Sequence, residues 1–88
     1  MPMNKSMAKR MRQAQRRAER NKAVRTRTRS TLRIARESIA EGADSMVADV
    51  GAAQKALDKA AKRRIVHPNA AARRKSRLMK RLAAKTSS

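Results

Sequence analysis

Apolar residues recur along this chain at intervals of three and four, and no stretch alternates with a period of two. That pattern predicts helices with one buried stripe each, and so an all-α fold. The first stripe runs Met7, Met11, Ala14, Ala18, then Thr28, Leu32, Ala35 and Ile39. The second is Val47, Val50, Leu57 and Ala61, interrupted by Gln54. The third is Ala71, Leu78 and Leu82, flanked by Ala72 and Met79. Gly42 closes the first segment as a helix C′ residue. Asp44 or Ser45 can then cap the next helix. Pro68 disfavours helix at His67, and Asn69 can cap the third helix. The chain therefore reads as one domain over 1–88: a three-helix bundle with helices at roughly 6–41, 45–64 and 69–84, and a disordered tail at 85–88.

The large apolar residues of the first stripe cluster only between Leu32 and Ile39. The bundle is thus expected to join the C-terminal half of helix one to helices two and three. The N-terminal half has only Ala and Met to bury. It should project from the bundle, held by a partner, and fray without one, because isolated helices are marginal in water. The whole core is thin. Leu, Ile and Val number 11 among 88 residues, and there is no Phe. That lies well below the roughly 20% under which highly charged chains tend to be disordered alone.

Charge says what the partner is. Lys and Arg number 25 against 6 Asp and Glu, for a net +19. Residues 1–36 hold net +12 with Glu19 as the sole acid, residues 37–61 hold −3, and residues 62–88 hold +10 with no acid. Charge of this size opposes any compact state. A nucleic-acid backbone neutralises it most economically, since each phosphate contact also releases a condensed counterion. An anionic membrane surface is the second possibility. The basic start imitates a mitochondrial transit peptide, but the same pattern continues far into the chain. No apolar run approaches the roughly 18 residues of a membrane span.

The run from Lys5 to Arg36 can lie along a groove and touch phosphates on either side. Arg dominates it, and a guanidinium engages phosphate oxygens through two hydrogen bonds. Arg12, Arg16, Arg17 and Arg29 are candidate contacts on this ground. In helix three, at about 100° per residue, Arg73, Arg74, Arg77, Lys80 and Arg81 fill the arc opposite the apolar one. Lys75 falls inside the apolar arc, where its stem can pack and its ammonium snorkel outward.

Phe, Tyr and Trp are all absent, which removes the main device for stacking single-stranded bases. The chain should therefore read the shape and backbone of folded, duplex-rich nucleic acid. No catalytic centre, metal site or cofactor is expected. There is no Cys for a disulfide or a thiolate zinc site. His67, the one histidine, has no nucleophile and orienting group in evidence. It reads as a loop residue or a nucleic-acid contact. The acids of residues 37–61 read as a solvent face turned away from the partner.

From Asp58 the sequence runs Asp58-Lys59-Ala60-Ala61, then Ile65-Val66-His67-Pro68-Asn69-Ala70-Ala71-Ala72-Arg73-Arg74-Lys75-Ser76-Arg77-Leu78. This closely resembles the signature of bacterial ribosomal protein S20 of the small subunit, an Ile-His-x-Asn turn leading into an Ala-Ala-Arg-x-Lys-Ser-x-Leu helix. The start, with Lys5-Ser6, Lys9-Arg10 and Arg20-Asn21-Lys22-Ala23-Val24-Arg25, is similar too. The family usually has Gly where Arg64 stands and Lys where Pro68 stands. The resemblance implies a three-helix bundle with an over-long first helix. It also implies direct, early binding of small-subunit ribosomal RNA, at the 5′ domain and the long decoding-stem helix, with few or no protein contacts. Carried over, the RNA contacts would be Lys5, Ser6, Lys9, Arg10, Arg20, Asn21, Lys22 and Arg25 on helix one. On the last turn and helix they would be His67, Asn69, Arg73, Lys75, Ser76 and Arg77.

These readings converge on a structural RNA-binding protein of the small ribosomal subunit, located in the cytoplasm and catalysing nothing. The alternative is a histone-like or nucleoid DNA-binding protein, since phosphate contacts do not separate DNA from RNA. A membrane-active helix ranks last, because the basic half has a poor apolar face and no Trp or Phe anchor.

Overall fold

The structure, a computed structural model, describes residues 5–87. Three helices follow one another: α1 (Lys5–Glu41), α2 (Met46–Lys62) and α3 (Pro68–Ser87). No strand occurs among the described residues, so the all-α expectation holds. The 37 residues of α1 make a rod of about 55 Å at 1.5 Å per residue. It dominates a molecule measuring 67 × 22 × 16 Å.

The core sits entirely at one end of that rod. From α1 it takes Leu32, Ala35 and Ile39; from α2 Val50, Ala53 and Leu57; from α3 Ala71 and Leu78. Met46, Ala61, Val66 and Leu82 pack around it. Between Lys5 and Arg27 no residue of α1 is buried, and Met7 and Met11 stay about half exposed. The physical reason is the one the pattern suggested. Ala and Met at 7, 11, 14 and 18 face no second helix, because α2 is only 17 residues long and folds back no further.

The stripe of α2 differs from its expectation. Val50, Ala53, Leu57 and Ala60 are buried, whereas Val47 is 62% exposed and Ala61 only partly covered. α2 packs against both other helices, while α1 and α3 meet each other least. A helix between two neighbours must bury a broader arc, and Ala at 53 and 60 allows both to approach.

The helix ends explain the boundaries. After α1, the Gly42 N–H donates to the Ile39 carbonyl at 3.1 Å, and the Ala43 N–H to the Ser38 carbonyl at 2.9 Å. With Gly42 at φ +65°, this is a Schellman motif with glycine in the left-handed position, as expected. After α2 the same pair of bonds recurs: Arg64 N–H to Ala61 at 3.0 Å, and Ile65 N–H to Ala60 at 2.9 Å. Here the left-handed position, φ 57°, is held by Arg64. α2 thus stops at Lys62 with a full cap but without glycine.

Three sequence expectations are corrected at the remaining ends. Neither Asp44 nor Ser45 caps α2 through its side chain; Ser45 occupies the N-cap position in a helical conformation. Its hydroxyl instead donates to Asp49 Oδ2 at 2.9 Å, and the Ser38 hydroxyl donates to the same oxygen. Asn69 does not cap α3 either. The helix begins one residue earlier with Pro68 at its first position, where a missing N–H costs nothing. The tail expected to be disordered is helical through Lys85, Thr86 and Ser87; Ser88 lies outside the described residues. Nothing after Leu82 breaks a helix, and the Thr86 and Ser87 hydroxyls donate back to the Leu82 and Ala83 carbonyls at 3.1 and 2.9 Å.

Candidate nucleic-acid interface

The placement of the basic side chains is set by the burial pattern. The face of α1 that packs in the bundle carries Thr28, Leu32, Ala35 and Ile39. Continued toward the N-terminus at about 100° per residue, that face passes through Asn21 and Arg17. Where the bundle ends, the sequence therefore switches from apolar to polar and basic residues on the same side. Lys5, Ser6, Lys9, Arg10, Arg12, Arg16, Arg17, Arg20, Lys22 and Arg25 are all exposed, and Asn21 is partly covered.

The turn between α2 and α3 is seated against α1 and creates two basic grooves. One, of about 370 Å³, lies between Arg17, Arg20, Asn21 and Val24 of α1 and Arg63 and Ile65 of the turn. The other, of about 290 Å³, is lined by Arg25, Thr28 and Arg29 from α1 and by Ile65, Val66, His67, Ala70 and Arg74 from the turn and α3. Ile65 is the wedge between them. The Thr28 hydroxyl does not face a ligand; it donates to the Val24 carbonyl at 2.8 Å. A third groove, of about 270 Å³, collects Arg36 from α1 and Arg74, Arg77 and Arg81 from α3, beside buried Leu78.

Of the sequence-predicted contacts, the structure brings together Arg17, Arg20 and Asn21, then Arg25, Arg29, His67 and Arg74, then Arg77 and Arg81. Lys5, Ser6, Lys9, Arg10 and Arg12 lie apart from these grooves on the projecting rod. Arg73, Ser76 and Lys80 are exposed on α3 but line none of the three. Asn69 is exposed at the start of α3, in a depression shared with Arg64 and His67. Lys75 stands apart. Its ammonium meets Asp58 Oδ1 of α2 at 2.8 Å, so the position inside the apolar arc gives it an acid partner across the helix interface.

Two cations outside the sequence-predicted set belong to the grooves: Arg36 and Arg63. A signal for Arg36 is present in the sequence. Arg25, Arg29 and Arg36 fall within about 40° of one another on a helical wheel, beside the buried stripe. Arg63 carries no comparable signal, because its place depends on how the turn folds against α1.

The field of these groups is not cancelled internally. Among the described residues, none of the arginines in the three grooves has a carboxylate within ion-pair reach. Among the same residues no cluster of His, Asp and Glu could hold a metal ion, and no helix is long and apolar enough to cross a membrane. What the arrangement offers is guanidinium and ammonium groups at many angles along one continuous helix, suited to phosphate oxygens.

Comparison with known proteins agrees with the geometry. The sequence profile described as Ribosomal protein S20 matches residues 2–83. A small ribosomal subunit protein bS20 from Anaeromyxobacter sp. (strain Fw109-5) is 47% identical over 76 residues, covering 85% of this chain and 84% of that protein. The bS20 protein of Rhodopirellula baltica is 46% identical over 80 residues, covering 89% and 88%. That of Dinoroseobacter shibae is 48% identical over 77 residues, covering 86% and 88%. With a basic rod-and-bundle fold, a family profile spanning nearly its full length and relatives identical at almost half of the aligned positions, this chain belongs to the ribosomal protein S20 family.

Proposed function

We propose that this chain is a structural constituent of the small ribosomal subunit that binds small-subunit ribosomal RNA directly and supports its folding, as a cytoplasmic protein with no catalytic role. One observation carries the reading. Residues Lys5–Arg27 form six turns of helix with no buried side chain, and their only acid is Glu19. A segment with so little to bury gains little by packing on its own chain, and only its last turns, from Arg17, meet the turn after α2. Its mechanism is neutralisation: the rod lies between RNA helices that repel one another and lets them approach. The turn at Arg63–His67 and the basic arc of α3 engage a second stretch of backbone. On the family resemblance, the RNA partners of the rod would be the 5′ domain and the long decoding-stem helix, with few protein neighbours.

The test is a filter-binding titration against small-subunit ribosomal RNA, with transfer RNA and duplex DNA as competitors. Six to ten phosphate contacts cost roughly a thousandfold or more in affinity between 50 and 200 mM salt. Ribosomal RNA should nevertheless outcompete both rivals at the higher salt. Equal displacement by all three would sink a specific RNA role, and a preference for duplex DNA would favour a nucleoid protein.

A further inference from the structure

We propose that Arg36, Arg74, Arg77 and Arg81 form a phosphate-operated clasp between α1 and α3: empty, it strains the bundle, and closely spaced phosphoryl groups of the RNA backbone close it. The proposal rests on the RNA-binding reading for the source of the phosphates, but the clasp itself rests on geometry. The four guanidiniums line one groove, with Arg36 on the α1 side and the other three on the α3 side. All four are exposed, and none has an acid within ion-pair reach among the described residues.

The free protein is therefore asked to hold like charges together. Arg74 and Arg77 are three residues apart on α3, and Arg77 and Arg81 four, spacings at which like charges weaken a helix. Arg36 adds repulsion across the groove. It does so at the weakest seam of the fold, since α1 and α3 share the least packing of any helix pair. Beneath the groove lies Leu78, 2% exposed, which belongs to the core. Any widening of the groove thus reaches the core directly.

An anion with several oxygens reverses the sign. Each guanidinium can give two parallel hydrogen bonds to a phosphoryl group, and a phosphate shared between Arg36 and Arg77 or Arg81 ties the two helices instead of parting them. Two backbone strands brought close in folded RNA present such a cluster of phosphates. Binding and completion of the bundle are then one event, linked by mass action.

The sign of the mutational effect separates this from a simple sticky patch. Thermal melts at low salt compare the full chain with Arg36→Gln and Arg81→Gln, with Lys55→Gln as a control on the exposed side of α2. Each is melted alone, with inorganic pyrophosphate, and with sodium chloride at matched ionic strength. Without pyrophosphate, the two arginine variants should melt about 2–4 °C higher than the parent chain, the size that relief of a fraction of a kcal/mol produces in a domain of this length. Pyrophosphate should raise the parent melting temperature beyond the chloride control, and most of that extra rise should vanish in both variants but not in Lys55→Gln. Variants that melt lower, or that keep the full pyrophosphate rise, overturn the clasp. So does a parent rise no larger than chloride gives. A ribosomal-RNA titration of the same proteins identifies the source. Loss of about threefold to tenfold in RNA affinity in the arginine variants assigns the clasp to RNA phosphates. Unchanged RNA affinity would overturn that assignment even if the pyrophosphate result held. Failure of the parent chain to prefer ribosomal RNA would instead count against the RNA reading itself.

Discussion

The imidazole of His67 is turned back onto the chain: its Nδ1 accepts a hydrogen bond from the Asn69 backbone N–H at 3.1 Å. The Ala71 N–H meanwhile donates to the His67 carbonyl at 3.0 Å, which makes His67 the cap of α3. The residue that reads as a loop contact in the sequence thus holds the start of the helix that carries Arg74, Arg77 and Arg81 of the candidate interface. His67→Ala should cost about 0.5–1 kcal/mol, the lower part of the range for a missing cap. Asn69→Ala should leave stability unchanged within error, since its side chain is exposed and makes no hydrogen bond among the described residues. Urea melts of the two variants check the contrast. A larger destabilisation by Asn69→Ala would mean that the cap is misassigned.

Two Schellman turns, one with Gly42 and one with Arg64, give a matched pair. The Arg64 side chain costs strain at φ 57°, because a Cβ in the left-handed region crowds the backbone. Arg64→Gly should therefore stabilise the free protein, by about 0.5–1 kcal/mol after the entropy that glycine adds to the unfolded chain. Gly42→Ala should do the opposite. It meets the same backbone penalty, and its Cβ would stand 3.2 Å from Lys85 Cε. Thermal melts that moved both variants in one direction would refute the assignment.

The core is small enough for one residue to decide folding. Leu57 is completely buried among Leu32, Val50, Ala71 and Leu78. Leu57→Ala should lose about 2–4 kcal/mol, a large share of the stability a small domain has. Far-UV circular dichroism at 37 °C should show a mostly unfolded chain without RNA and partial recovery with it. Met11→Ala, at a half-exposed position on the rod, should melt like the parent. If the two variants behaved alike, the core would not be confined to one end of α1.

Features that depend on local spacing are legible in the sequence, and features that depend on a distant partner are not. The stripe from Thr28 to Ile39 and the turn at Gly42 need only a spacing and a single residue type, and the structure has both. The switch to a solvent-facing rod before Thr28 is equally visible, because Ala and isolated Met stand there in place of a cluster of Leu and Ile. The buried stripe of α2 keeps Val50 and Leu57 but takes Ala53 and Ala60 in place of Val47 and Ala61, because this helix packs on two sides and the sequence offers no sign of which Ala lies between partners. The cap of α3 escapes sequence reasoning because His is not among the usual capping residues and Asn69 is. Lys75 does sit in the apolar arc, but its partner Asp58 emerges only in three dimensions. The pair is 34% and 60% exposed at its side chains, so it contributes little to stability, about 0.5 kcal/mol. The grooves around Ile65 are hidden for the same reason, since they need the turn laid against Arg17–Arg29.

Charge on the rod should act on affinity and leave the bundle alone. Arg12→Gln and Arg16→Gln remove exposed cations from a stretch that touches no core residue. Their melting temperatures should match the parent or exceed it slightly. RNA binding should weaken, and the slope of log K against log salt should fall by roughly 0.7–0.9 for each phosphate no longer engaged. Lys75→Gln should change that slope less than Lys80→Gln, because the Lys75 ammonium already has a carboxylate at 2.8 Å. A change at Lys75 as large as that at Lys80 would show that the ion pair opens to the RNA.

The order of folding and binding can be set by the same rod. Helix propagation favours Ala, Arg, Lys and Gln, so the rod has local propensity, but no side chain between Lys5 and Arg27 is buried, and the turn after α2 lies against it only from Arg17 onward. Repulsion among its cations further loosens it at low salt. From Leu32 to Ile39, by contrast, opening a backbone hydrogen bond exposes core residues of all three helices. Native-state hydrogen exchange should separate the two halves of one continuous helix. Amides between about residues 9 and 20 should exchange within roughly tenfold of unstructured rates in the free protein, and those of Leu32–Ile39 a hundredfold or more slower. Ribosomal RNA should bring the first group close to the second. The ordering entropy of the rod is then spent at the moment of binding, which lowers affinity per contact while letting a thin segment enter a crowded groove. Equal protection along α1 without RNA would mean that the rod is preformed, and binding would then carry no such folding step.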